Sequence, residues 1–265
     1  FGTCSEMNAK ECVEFNLLGG MKLKVTLLAH TQLAESIYDY FDKYGHSYEG
    51  NTLDELEVVD GQVISLAAIR QCYSHKTALE VLETESEKYF SEKAKEAKRL
   101  FNHIVKSGHT STLEHLNFTF AIEGVSRSLL AQLTRHRHMS FSVQSQRYTK
   151  FSSDSRSGGF DYVIPEKVEN HENEDVKMKF KQAMGYSQAF YNTLIDMGIP
   201  QEDARAVLPN AATCNLVLTA NLRTLLEFYE KRKSGNGAQH EIAQLAEELK
   251  NRIVEVEPWT EEFFE

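Results

Sequence analysis

Residues 132–148 read QLTRHRHMSFSVQSQRY and gather three arginines, two histidines and four aliphatic hydroxyls in one short stretch. No lysine occurs there; the next one is Lys150. A solvated basic face mixes lysine with arginine, whereas planar guanidiniums beside hydroxyl donors suit a flat or phosphorylated anion. Arg135 and Arg137, and after them Ser140, Ser142, Ser145 and Arg147, are therefore candidate anion ligands. A polar subunit interface with internal ion pairs would draw on the same residue types.

The rest of the chain narrows what that anion is. With Lys+Arg 29 against Asp+Glu 39, the formal net charge is −10 over 265 residues. Nonspecific nucleic-acid affinity needs many phosphate contacts from a basic surface, so no nucleic-acid partner is expected and the arginines should serve a small anion. There is no apolar run of the roughly 18 residues that a membrane span requires, and residues 1–20 mix acids and amides, unlike a signal peptide. We expect a cytoplasmic protein with no membrane partner. Residues 1–20 read as a leader or expression remnant before Met21, and residues 21–265 as one catalytic domain. Cys4, Cys12, Cys72 and Cys214 show no metal-ligand spacing and read as reduced thiols.

These side chains need elements to hold them. MKLKVTLLAH (21–30) alternates Leu23, Val25 and Leu27 as a half-buried strand does, and QLAESIYDYFDKY is helix-like, followed by an acidic loop around Asp54 to Gly61. Residues 85–107 are rich in helix formers, with Gly108 placed to cap the C-terminus. HLNFTFAIEG puts Leu116, Phe118, Phe120 and Ile122 on one face, the clearest strand in the chain. A helix from about Ser126 carries Leu129, Leu130 and Leu133 on one side and Gln132 with Arg135 away from them. Continued unbroken, it would swing Arg137 back to the leucines, so it should end near Arg137, or Arg137 should meet an anion. A Ser- and Gly-rich loop, a long helix over about 172–197, a strand in ATCNLVLTAN and two helices over 222–255 complete the chain. The alternation predicts an α/β domain of the α+β kind.

The spelling RHR, seven residues, then Ser (Arg135 to Ser145), continued as SQRY to Tyr148, resembles the signature of flavin-dependent thymidylate synthases. SGHTSTLEH (107–115), ARAVLP (204–209), NLRTLLEFYEKR (221–232), AQHEI (238–242) and PWTEEFF come in the same order as in that family. The resemblance implies a homotetramer whose subunits each have a central, largely antiparallel sheet flanked by helices, with active sites where subunits meet. It implies that dUMP becomes dTMP, with methylenetetrahydrofolate supplying the carbon and NADPH the reducing equivalents through FAD. Cysteine-dependent thymidylate synthases place the nucleophile beside a proline; Cys72 and Cys214 lack that neighbour.

By the same resemblance, Gln132, Leu133, Thr134, Arg135, Ser145, Gln146, Arg147, Arg205 and Arg232 hold dUMP, and Arg232 activates the pyrimidine. Ser111, Arg135, His136, Arg137, Val143, Asn221, Arg223 and Glu227 are the counterparts of the family's FAD contacts. Three positions depart from the pattern. Ser142 stands where Asn is common, Val143 where an acid or amide often contacts ligand, and Glu227 where Asn or His would donate; an ionised Glu227 can only accept. Residue chemistry independently suits Arg232 to its role, because a guanidinium favours the N3-ionised, electron-rich form of uracil. On a helix over 222–232, Leu222, Leu225, Phe228 and Tyr229 form the apolar face with Arg232 at its edge, where a buried anionic partner would match its charge. The same position equally lets Arg232 complement the helix dipole. No GxGxxG occurs, so a Rossmann cofactor site is not expected. His103, His109, His115, His136 and His138 show no ligand spacing, so no metal is expected, and an RNA reading using Phe141 and Tyr148 conflicts with the acidic balance.

Overall fold

The computed structural model describes residues 22–43, 58–90, 95–155 and 157–265. The proposed leader, residues 1–20, and residues 54–57 of the acidic loop lie outside the described residues. Four strands, β1 (Lys24–His30), β2 (Asn117–Ser126), β3 (Ser140–Val143) and β4 (Thr213–Asn221), form one sheet in the order β1-β2-β4-β3. Antiparallel register is fixed by side chains as well as backbone: Thr119 and Thr219 share a hydroxyl–hydroxyl bond of 2.9 Å, and the Thr31 N–H donates to the Asn117 carbonyl at 3.0 Å. On β2 Phe118, Phe120 and Ile122 are buried, the face the alternation predicts, but the strand runs on to Ser126 and its last residues, Val125 among them, are buried without alternation. The mixed fold, an antiparallel sheet with flanking helices, agrees with the sequence reading.

The described chain divides into two compact units, each assembled from separate segments. One draws on residues up to 24, 123–131 and 143–215. It holds α5 (Arg127–Leu133) as far as Ala131, the short α6 (Glu166–Glu169), α7 (Glu174–Asp196) and α8 (Gln201–Ala204). Phe151, Phe160, Tyr162, Met184 and Tyr191 form its core. Gln188 is fully buried on α7: its amide donates to the Phe151 carbonyl at 2.8 Å, and its oxygen accepts the Phe160 N–H at 2.9 Å. That one side chain fastens the Ser- and Gly-rich loop at both ends, satisfying backbone groups that burial would otherwise leave unpaired.

The other unit draws on residues 25–122, 132–142 and 216–265. It contains α1 (Glu35–Lys43), α2 (Asp60–Tyr73), α3 (Ala78–Phe90), α4 (Lys95–Lys106), α9 (Leu222–Arg232) and α10 (His240–Val256). Leu66, Ile69, Phe90, Phe101 and Ile104 form its core, and Trp259 packs on Phe101 with ring centroids 4.6 Å apart. Of the helix expected over 85–107, residues up to Phe90 lie in α3 and Lys95–Lys106 form α4, while residues 91–94 lie outside the described residues; Gly108 does take the positive φ, 75°, of a C-terminal cap. Asp60 and Gly61 belong to the first turn of α2 and not to a loop. Glu257, 1% exposed, lies over that turn: Trp259 Nε1 donates to it at 2.6 Å, and a Cβ on Gly61 would sit 2.3 Å from its carboxylate oxygens. Any larger residue at 61 would force the Glu257 carboxylate to move.

Candidate functional site

The predicted ligand residues fall in both units, and each cluster is built by its own elements. In the unit that contains α9, Asn221 caps that helix by accepting the Thr224 N–H at 2.9 Å, and Leu222, Leu225, Phe228 and Tyr229 are buried as the apolar face predicts. Arg232 therefore emerges half-buried from the last turn, where Nε donates to His136 Nε2 at 3.2 Å. The His136 ring meets Phe228 edge-on, 4.9 Å between centroids. Burial, then the charges of Arg232 and Lys231, push the His136 pKa down, so the imidazole is neutral and accepts through Nε2. The anionic partner expected for Arg232 is not a protein side chain among the described residues: its positive charge meets an uncharged ring.

The helix carrying the RHR run ends earlier than the sequence suggests. α5 stops at Leu133, and a turn comes next in which the Arg135 and His136 N–H groups donate to Gln132 and Leu133 carbonyls at 3.4 and 3.0 Å. Gln132 and Arg135 therefore do not share a helical face. The β-branched Thr134, and a leucine at 133 already fully buried, leave little reason to continue the helix. Thr134, Arg135 and Arg137 are exposed, and neither guanidinium is paired with a carboxylate among the described residues. Leu133 has its side chain in the core, so only its backbone could meet a ligand. The Gln132 amide donates to Gln239 at 2.5 Å.

Ser111 is exposed on a 3-10 turn, Thr110–His115, that packs against α9. Arg223 is clamped: Nη1 reaches Glu114 at 2.6 Å and Nε reaches Glu227 at 3.1 Å, and these two bonds, Glu114 first, raise its pKa. Glu227 thus spends its carboxylate on Arg223. Sequence reading missed Glu114, although it stands inside the SGHTSTLEH block.

The second cluster lies in the unit that contains α7. Val143 closes β3, and Ser145 Oγ accepts the Arg147 N–H at 3.2 Å. Arg147 Nε donates to Glu202 at 2.6 Å, while Gln201 Nε2 donates to the Arg147 carbonyl at 2.6 Å. Arg205 joins the same acid through Nε to the Glu202 carbonyl, 3.0 Å. Arg147, Arg205 and Ser145 are so gathered near Glu202, which sequence reading missed because it precedes the ARAVLP block by two residues. Gln146 is half-buried beside them in sequence. Both clusters offer cations and hydroxyls on partly exposed surfaces, chemistry suited to binding phosphorylated ligands. Among the described residues no group of three or more His, Cys, Asp or Glu could hold a metal ion, and no helix is long and apolar enough to cross a membrane.

Comparison with known proteins gives a consistent result. The family model described as thymidylate synthase complementing protein matches residues 56–259. A flavin-dependent thymidylate synthase from Geobacter sulfurreducens is 40% identical over 195 residues, 74% of this chain and 78% of that protein. One from Clostridium tetani is 36% identical over 208 residues, covering 72% and 77%. Among solved structures, the crystal structure of a UMP/dUMP methylase, PolB, from Streptomyces cacaoi bound with 5-Br dUMP shares the fold: TM-score 0.64 at 20% identity, over 92% of this chain and 95% of that one.

Proposed function

This chain belongs to the flavin-dependent thymidylate synthase family, and on that premise we propose that it converts dUMP to dTMP, with methylenetetrahydrofolate as carbon donor and NADPH as reductant. Residues 21–265 form the catalytic domain of a cytoplasmic homotetramer in this reading. The observation that carries it is Arg232: a half-buried guanidinium bonded to a neutral imidazole and to no described carboxylate. An ionised uracil ring is the kind of partner such a charge lacks, and binding it would favour the nucleophilic form of C5. Ser145, Gln146, Arg147 and Arg205 supply donors for the nucleotide's phosphate, with Glu202 setting the direction of Arg147 until the anion competes for it. Gln132, Thr134 and the backbone at Leu133 contribute the remaining polar contacts to dUMP.

The donor set fits FAD in part. Arg135 and Arg137 are exposed cations without described carboxylate partners, which suits a pyrophosphate; Ser111 and Asn221 add polar groups, and His136 lies next to both arginines in sequence. Arg223 and Glu227 fit less well, since each already engages the other, and Val143 brings no polar side chain. When bound, FAD would supply the hydride that NADPH provides. Purified protein incubated with FAD should take on flavin absorbance and, given dUMP, methylenetetrahydrofolate and NADPH, should release dTMP. Flavin binding without dTMP would refute the reaction, and no flavin binding would refute the cofactor.

A further inference from the structure

The Gln144–Ser145 peptide sits at the entrance to the predicted phosphate-binding segment, and two residues without an assigned role, Arg127 and Asn215, hold Gln144. Arg127 opens α5, tied by its own N–H to the Ala212 carbonyl at 3.0 Å. Its Nη2 donates to the Gln144 carbonyl at 2.8 Å. Across the sheet, the Gln144 N–H donates to the Asn215 carbonyl at 2.8 Å, and the Asn215 N–H returns to Gln144 Oε1 at 3.3 Å. Asn215 is anchored in turn, its Oδ1 accepting the Gly124 N–H at 3.1 Å. Because a peptide group is planar, holding the Gln144 oxygen also fixes the direction of the Ser145 N–H and Cα. Ser145 Oγ then accepts from Arg147, and the Ser145 carbonyl accepts the Thr149 N–H at 3.0 Å, so the orientation passes along the SQRY segment.

We propose that Arg127 is a positioning residue for nucleotide binding, acting through the Gln144–Ser145 peptide, with Asn215 as its counterpart across the strand. The proposal rests on the dUMP reading given above. It explains why a guanidinium, with its fork of donors, stands where one hydrogen bond is made and Nε stays buried without a partner among the described residues. The donor at the tip is aimed by a stiff planar group, and the unused edge is the consequence of that aim.

Hydrogen–deuterium exchange and ligand binding on the full-length protein test this. In Arg127→Met, exchange at Ser145–Thr149 measured without nucleotide should speed up about tenfold, and the Kd for dUMP should rise about tenfold, with the Kd for FAD unchanged. Arg127→Lys, which keeps one charged donor, should hold dUMP affinity within about threefold of wild type. Should Arg127→Met not fold, Asn215→Ala provides the second route: it keeps both backbone bonds to Gln144 but removes the Oδ1 anchor on Gly124, and should give the same split between dUMP and FAD at about a third of the size. Unchanged exchange, unchanged dUMP affinity, or an equal loss of dUMP and FAD would each overturn the proposal. Exchange is read without ligand, so a wild-type protein that binds no dUMP would sink the proposed function while the pinning of the peptide is still decided.

Discussion

Arg232 and His136 form a cation–acceptor pair whose charge is left for something else to balance. In the proposed reaction that guanidinium acts on the pyrimidine and not on the hydride donor. Arg232→Ala should therefore lower dTMP formation by about 10²–10³-fold, some 3–4 kcal/mol of barrier, while NADPH oxidation in the presence of flavin persists. Parallel assays of both activities check this; equal losses would place Arg232 elsewhere. Ser145→Ala should raise the dUMP Kd about tenfold, as expected for one hydrogen bond to a charged group, and leave turnover at saturating dUMP near wild type. A steady-state split of KM from kcat decides it.

At the scale of elements, the contact between α2 and the end of α10 is set by Glu257. Burial, with some repulsion from Asp60, pushes its pKa from 4.5 to about 7 even though the Trp259 and Gly61 N–H groups favour the carboxylate. Between those two values the folded chain binds a proton there that the unfolded chain has released. Stability therefore falls as pH rises through that window and is level above it. The fall should amount to about 3 kcal/mol. Glu257→Gln should flatten this part of the profile and be the more stable protein at pH 8, as read from denaturant midpoints at pH 5 and pH 8. His136 acts in the opposite sense: with its pKa lowered, it subtracts stability as pH falls below 6.5.

The limits of the sequence can be traced to particular positions. The faces of β2 and α9 were legible because each buries one side at a fixed period, so Phe118, Phe120, Leu225 and Phe228 announce themselves. The early end of α5 was not legible: QLTRHR keeps a helical spacing, and only the local turn reveals that Arg135 leaves the helix. Within the candidate site, Arg135, Arg147 and Arg232 were found from residue type and motif. Glu202 and Glu114 were not, because an acid that orients an arginine is recognised only by distance.

For the whole molecule, proposed active sites at subunit boundaries lead to a complementation experiment. Arg135 and Arg232 are a poor pair for it, since Arg232 already bonds His136 within one chain. Arg147 and Arg232 belong to different compact units and are the informative choice. If each site takes Arg147 and Arg232 from different chains, co-refolded Arg147→Ala and Arg232→Ala proteins should recover about a quarter of wild-type activity per site. Recovery indistinguishable from the separate variants would show that one chain supplies both. Light scattering provides the parallel check, with a fully active 30.2 kDa monomer refuting the tetramer.

The hydroxyl pair between Thr119 and Thr219 joins positions 100 residues apart. A ribosome adding about 5–20 amino acids per second would present β4 roughly 5–20 s after β2. In that interval β1 can already zip to one side of β2, yet the other side, which β4 takes in the finished sheet, stays an open edge. A nascent chain in that state is a template for pairing with its neighbours on the polysome. Productive synthesis of this protein should accordingly depend on a chaperone that holds the emerging strand until its late partner arrives.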